Sequence, residues 1–200
     1  MNPIGHFKTI TEHKLLVMQH CFKLGLYRQG LLHDMSKYMP SEFLVGARYY
    51  QGNRSPNNAE REDKGYSGAW LHHKGRNLHH FEYWIDYCLD DSGKTMCGMR
   101  MPRKYVAEML ADRIAASKVY NKGTYTQHDP LNYFLKGKSH YMMHLRTQKE
   151  LEHLLRILDK YGEDVCFSYT RYIYLRKNPG KSSIKISRIQ GYDAPRRKQR

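Results

Sequence analysis

The 200-residue chain has no apolar run near the roughly 20 residues that a bilayer-crossing helix needs, so no membrane span is expected. It has no Walker A sequence, no Gly-x-Gly-x-x-Gly and no Gly-x-Ser-x-Gly, which removes the P-loop, dinucleotide-binding and nucleophile-elbow chemistries. Its four cysteines, Cys21, Cys88, Cys97 and Cys166, form no Cys-x-x-Cys pair, so a thiolate zinc knuckle and a thioredoxin-type site lose their basis. The first residues lack the basic-then-apolar order of a secretory signal, and with scattered cysteines this leads us to expect reduced thiols in a cytoplasmic protein. Acids are scarce: 19 Asp and Glu face 34 Lys and Arg, for a net charge of +15. Disorder over most of the chain is excluded by a 40% hydrophobic and 12% aromatic content, which can fill a core.

The positive charge is unevenly placed. Residues 171–200 hold ten Lys and Arg against one acid, Asp193. The expected organisation is therefore a mostly α domain over 1–162 and a small basic β-hairpin with a tail over 163–200. Helical spacing predicts helices from Thr9 or Thr11 to Lys23, over 27–38, from Pro40 onward, from Pro102 to about Tyr120, at Asp129-Pro130, and over 139–161 with Gly162 as the stop. Residues 52–66 read as a surface loop, and 67–87 as a helix or helical turns. Turn chemistry at 90–94 predicts a small hairpin between 87–89 and 95–97. Alternation at 172–175, a turn at Asn178-Pro179-Gly180, and Ile184 and Ile186 predict the basic hairpin.

Histidine is the informative residue type. Four of the twelve, His72, His73, His79 and His80, fall within nine positions. On a helix His73, Asn77 and His80 would share one face, with His72 and His79 in the next row. Neutral imidazole is the commonest protein metal ligand. His33-Asp34 follows Leu31-Leu32 in an apolar context, where an unpaired carboxylate and imidazole would cost several kcal/mol, so an ion or an ion-pair network is expected there. His13 lies on the inner side of the first helix. Asp112 falls in the apolar sector of its helix, one turn after Glu108, whereas Glu108 and Arg113 read as an ion pair or as solvated. His6, His20, His128, His140, His144 and His153 read as structural or surface residues, and Trp70 and Trp84 as packing for the histidine segment.

The order His13, His33-Asp34, His73 with His79-His80, then Asp112 resembles the HD superfamily of metal-dependent phosphohydrolases, with residues 33–37 close to its His-Asp-x-Gly-Lys. Residues 33–43 and 70–84 look like an uncharacterised bacterial branch of it, a family of unknown function. The resemblance covers about 9–120 and implies an HD-like helical bundle. In it His13, His33, Asp34 and Asp112 would match the ligands of a first metal, Asp34 would bridge to a second, and His73 with His79 or His80 or both would hold that second ion. It further implies a metal-activated water attacking a phosphate ester, a nucleotide being one candidate. Asp34 and Lys37 would be the catalytic residues, and Glu42 and Asn77 supporting or substrate contacts. Ser36 stands where the superfamily usually has glycine, and the glycine-rich motif of its cyclic-dinucleotide phosphodiesterases is missing.

An imidazole-dominated set favours one or two ions of Mn, Fe, Co, Ni or Zn over Mg. Two other classes stay open at this point. One is a di-iron oxygenase of HD-like fold. The other is a non-catalytic nucleic-acid-binding module with a structural or vestigial metal, because Lys and Arg interleaved with Tyr169, Tyr172 and Tyr174 suit backbone contact and base stacking through 171–200.

Overall fold

The computed structural model describes residues 1–88 and 95–176. Its first helix starts earlier than the threonines suggest. Asn2 caps α1 (Pro3–Lys23) by accepting the Gly5 amide at 2.8 Å, and Pro3 suits the first turn because it has no amide to satisfy. His6, Ile10, His13, Val17 and Cys21 then recur every three or four residues on the buried side. Gly25, at φ +76°, reverses the chain into α2 (Tyr27–Leu32). Gly30 lets α2 lie close to α1, since a Cβ there would sit 3.0 Å from that of Cys21.

The expected helix over 27–38 is broken in its middle. His33 is extended, and Asp34 adopts φ +54°, the only non-glycine left-handed residue among those described, before a 3-10 turn at Met35–Tyr38. Asp tolerates this region better than most residues, and the break turns the His33 and Asp34 side chains inward together. Lys14 secures it by donating to the carbonyls of Leu31 and His33 at 2.8 and 3.0 Å.

α3 (Pro40–Arg48) follows as expected, with Pro40 in its first turn. The expected 52–66 loop instead contains α4 (Pro56–Lys64), a strongly polar helix closed by Gly65 at φ +79°. α5 (Gly68–Lys74) is capped by Ser67, whose Oγ accepts the Trp70 amide. It stops at Gly75, so 67–87 is not one helix. A turn and a 3-10 segment, Phe81–Trp84, lead into β1 (Ile85–Tyr87). β1 pairs antiparallel with β2 (Met96–Gly98), Ile85 opposite Gly98, as the hairpin reading requires. A disulfide joins Cys88 to Cys97, which corrects the expectation of four reduced thiols; Cys21 and Cys166 are free and buried.

α6 (Arg103–Tyr120), α7 (Asp129–Gly137) and α8 (Leu145–Tyr169) complete the fold. α6 is buried continuously from Val106 to Ala111, the mark of a helix enclosed on all sides. It packs with α1 and α8 around Val17, Leu110, Ile114, Phe134, Leu151, Leu154, Leu155 and Leu158. Each such side chain contributes about 1.5–3 kcal/mol on burial. Gly162, at φ +83°, interrupts α8 without ending it; the chain resumes helix and finishes in a π-turn, Thr170–Tyr174. The strand expected at 172–175 is therefore helical, and Cys166, Phe167 and Tyr174 join the main core. The turn at 90–94 and the hairpin and tail beyond Arg176 lie outside the described residues. No helix among the described residues is long and apolar enough to cross a membrane.

Candidate metal centre

Four separate elements deliver the histidines and carboxylates to one place. α1 supplies His13, the break after α2 supplies His33 and Asp34, α5 and the turn after it supply His73, His79 and His80, and α6 supplies Asp112. Asp34 is the centre, 1% exposed. Its Oδ2 lies 3.3 Å from His33 Nε2 and 3.7 Å from His13 Nε2. Asp112 Oδ1 completes that side, 3.0 Å from His13 Nε2 and 3.6 Å from His33 Nε2. The other oxygen, Oδ1, lies 3.3 Å from His73 Nε2 and 3.4 Å from His79 Nε2, and His80 Nε2 is 2.9 Å from that of His73. Two ligand sets thus share one carboxylate: His13, His33, Asp34 and Asp112, and Asp34, His73, His79 and His80.

The outer nitrogens are held by two carboxylates. Glu108 Oε1 accepts from His33 Nδ1 at 3.0 Å and lies 3.3 Å from His79 Nδ1. Glu42 accepts from His73 Nδ1 at 2.8 Å and from His72 Nδ1 at 2.5 Å. Asn77 donates to Ser36 Oγ and to the His73 carbonyl, closing the turn that brings His79 and His80 back. A proton fixed on Nδ1 leaves the Nε2 lone pair directed at the centre, the arrangement that histidine ligands need. Glu108 is neither solvated nor paired with Arg113, which corrects the sequence expectation; its buried carboxylate serves one histidine from each set. The signal available was its position one turn before Asp112. His72 stays outside both sets, with Glu42 and Ser41 as partners.

The inner atoms fit cations. His13 Nε2, His33 Nε2, His79 Nε2 and Asp34 Oδ1 are buried with no hydrogen-bond partner, and Asp34 Oδ2 has only the Lys37 ammonium as its partner. Such orphaned atoms cost stability unless an ion satisfies them, and nitrogen with carboxylate oxygen is a transition-metal donor set. The electrostatics agree. Burial pushes the Asp34 carboxyl up, but the charges of His33, Lys37 and His73 outweigh it and hold the group well below its ordinary range. Asp112 is likewise held well below, burial being overcome by His13 and His33. Burial together with the Lys37 charge lowers His13, and burial with the neighbouring His79 and His73 takes His80 well below the ordinary imidazole value. In His33 the reverse holds: burial lowers it, but the surrounding carboxylates dominate and raise it. Lys37 pairs with Asp34 Oδ2 at 2.6 Å and keeps part of its side chain exposed, at 28%.

The centre opens into a cavity of about 590 Å³, whose walls near the cluster are His13, Lys37, Trp70, His73, His80 and Asp112. Trp70 lies against His73 and His80, with ring centroids 5.6 and 4.8 Å away, and the Arg61 guanidinium lies over its ring. His20 hydrogen-bonds the Ala111 carbonyl, and His6 packs on Phe43 and Tyr50, both away from the ligand sets. His128 pairs with Asp159, and His153 with the Tyr169 hydroxyl.

The profile of a family described as a family of unknown function (DUF5662) matches residues 2–157. No curated protein and no solved structure matches the chain.

Proposed function

The chain belongs to DUF5662, and we propose that it is a metal-dependent phosphohydrolase holding two divalent transition-metal ions, its substrate a small phosphate ester. The observation that carries this reading is Asp34, whose two buried oxygens each face a separate histidine-rich set. The ordered resemblance to the HD superfamily supports it, and the imidazole majority favours Mn, Fe, Co, Ni or Zn over Mg. Bound there, such ions supply Lewis acidity to a phosphoryl oxygen and lower the pKa of a coordinated water toward neutrality.

The protein's own groups supply the rest. Glu108 and Glu42 lock the tautomers and ring orientations of His33, His79 and His73, so the donors need no reorganisation. Lys37, at the cavity wall, provides an ammonium that neutralises an anionic phosphate oxygen and orients the ester toward the cluster. Trp70, over His73 and His80, limits access of bulk water from that side.

Metal analysis of protein purified without chelator should find about two ions per chain. A panel of phosphomonoesters and nucleotides with Mn²⁺ or Co²⁺ should show turnover that Asp34→Ala abolishes while the far-ultraviolet circular dichroism stays helical. Turnover that survives Asp34→Ala would refute the reading. Iron-dependent oxygen uptake without phosphate release would replace it with the di-iron oxygenase.

A further inference from the structure

The cavity wall carries Lys37, Arg54, Arg61 and Arg113. Three of these cations are engaged. Lys37 pairs with Asp34 Oδ2 at 2.6 Å. Arg54 clasps Glu62 through two bonds of 2.7 and 2.6 Å and donates a third to Gln51. The Arg113 guanidinium lies against the rings of Tyr133, Phe134 and Tyr141, with Nε and Nη1 shielded from water. Arg61 differs. It forms no ion pair among the described residues, and its hydrogen bond there runs from Nη1 to Asn58 Oδ1 at 2.9 Å. Its Nε and Nη2 have no partner among the described residues, and neither is shielded from water as the two Arg113 nitrogens are.

The position of Arg61 is fixed by the residue before it. Glu60, 1% exposed on α4, accepts from Ser67 Oγ at 2.6 Å and from the Ala69 amide at 3.3 Å. Ser67 in turn caps α5 by accepting the Trp70 amide at 3.0 Å. α4 is thereby locked to the start of α5, and the Arg61 guanidinium carbon stands 5.6 Å from the centroid of the Trp70 ring. That ring packs on His73 and His80 of the second ligand set. The acids of the cavity wall do not balance the Arg61 charge. Glu42 serves His72 and His73, Asp112 serves His13, and Asp129 accepts from Thr126 and Asn121. Burial pushes the Glu82 carboxyl up, toward its neutral form. A held guanidinium with free N–H groups, in a cavity that already takes one anion, suits a second one, since its planar fork matches carboxylate and phosphate oxygens.

We propose that Arg61 is a specificity-determining residue that binds a second anionic group, phosphate or carboxylate, of a substrate whose reacting phosphate lies at Asp34. The place of the reacting phosphate rests on the phosphohydrolase reading; capture of an anion by Arg61 does not. Lys37 serves the metal end of such a substrate and Arg61 its other end.

Two pairs of sugar phosphates on matched carbon frames test this. Fructose 1,6-bisphosphate against fructose 6-phosphate probes a second phosphate, and 6-phosphogluconate against glucose 6-phosphate probes a carboxylate. In the unaltered protein with Mn²⁺, we expect the doubly anionic member of at least one pair to have a KM lower by about tenfold or more, the effect of a hydrogen bond to a charged group. Arg61→Met should cut that preference at least fivefold, and Arg61→Lys, which keeps the charge, should retain most of it. Loss of packing on Trp70 alone would move both members of a pair alike. Equal KM values within both pairs, or a preference that survives Arg61→Met, would overturn the assignment. If nothing is turned over, calorimetric binding of the same four compounds decides. Tighter binding of a doubly anionic member by about tenfold, lost in Arg61→Met, would sustain the anion site while the hydrolase reading fails. Equal or absent binding would end it. The comparison within each pair needs no variant, so the proposal can fail even where Arg61→Met does not fold.

Discussion

Glu108→Gln isolates the part of the centre that no direct ligand carries. The substitution keeps the shape of a side chain only 5% exposed and removes one negative charge. It weakens the contacts of Oε1 with His33 Nδ1 at 3.0 Å and His79 Nδ1 at 3.3 Å, one histidine from each ligand set. An amide oxygen accepts more weakly than a carboxylate, and the amide nitrogen would present N–H to a ring nitrogen already protonated. Loss of one such outer partner costs about 10- to 100-fold in metal affinity, or roughly 1.4–2.8 kcal/mol. Because Glu108 serves both sets, both ions should bind more weakly, which loss of a histidine belonging to one set would not produce. Competition of Co²⁺ or Zn²⁺ against a chromophoric chelator, fitted with two sites, measures this. Glu12→Gln is the control, since Glu12 pairs on the surface with Lys122. Two unchanged affinities in Glu108→Gln would refute the claim that this carboxylate tunes the histidines, and weakening confined to one ion would refute its shared role.

Two further outcomes follow from packing and charge. Gly46→Ala would place a Cβ 2.2 Å from Nε2 of the buried His6, so α1 and α3 must separate or His6 must leave its position; thermal denaturation should show a loss of about 1–3 kcal/mol. An unchanged melting temperature would show that the helix pair adapts freely. Burial lowers the His20 imidazole to about 4, so the unfolded chain takes up a proton near pH 6.5 that the folded chain refuses. Its contribution is thus complete above pH 6.5 and lost as pH falls toward 4, about 2 kcal/mol by pH 5. Denaturant unfolding of His20→Gln at pH 7.5 and 5 should show a shallower acid loss than the unaltered protein, and an equal loss would discount this histidine.

Much of the helical framework is legible from residue order. Pro40, Pro102 and Asp129-Pro130 mark helix starts because proline suits a first turn, and the apolar periods of α1, α6 and α8 declare their buried faces. Other features were hidden for identifiable reasons. α4 has almost no apolar period, so its polar composition reads as loop. Tyr172 to Leu175 alternate like a strand, yet they continue α8 because Tyr174 is buried against the same core. Cys88 and Cys97 pair only because β1 and β2 come together.

The centre divides in the same way. Residue type pointed to His33-Asp34, because a buried imidazole and carboxylate among leucines have few inexpensive explanations, and the resemblance in residue order added His13, His73, His79, His80 and Asp112. The place of Asp34 between the two sets came from the resemblance and not from spacing, and the hold of Glu108 on the outer nitrogens could not be read from the sequence. Glu108 and His33 are 75 positions apart, and their contact arises because α6 and α2 both pack against α1. The left-handed turn at Asp34 is equally a product of context, as local propensity favoured a continuous helix there. Linear order specifies which atoms carry chemistry; the packed core specifies the few ångströms between them, because only long-range burial compensates the conformational strain and desolvation of bringing like groups together.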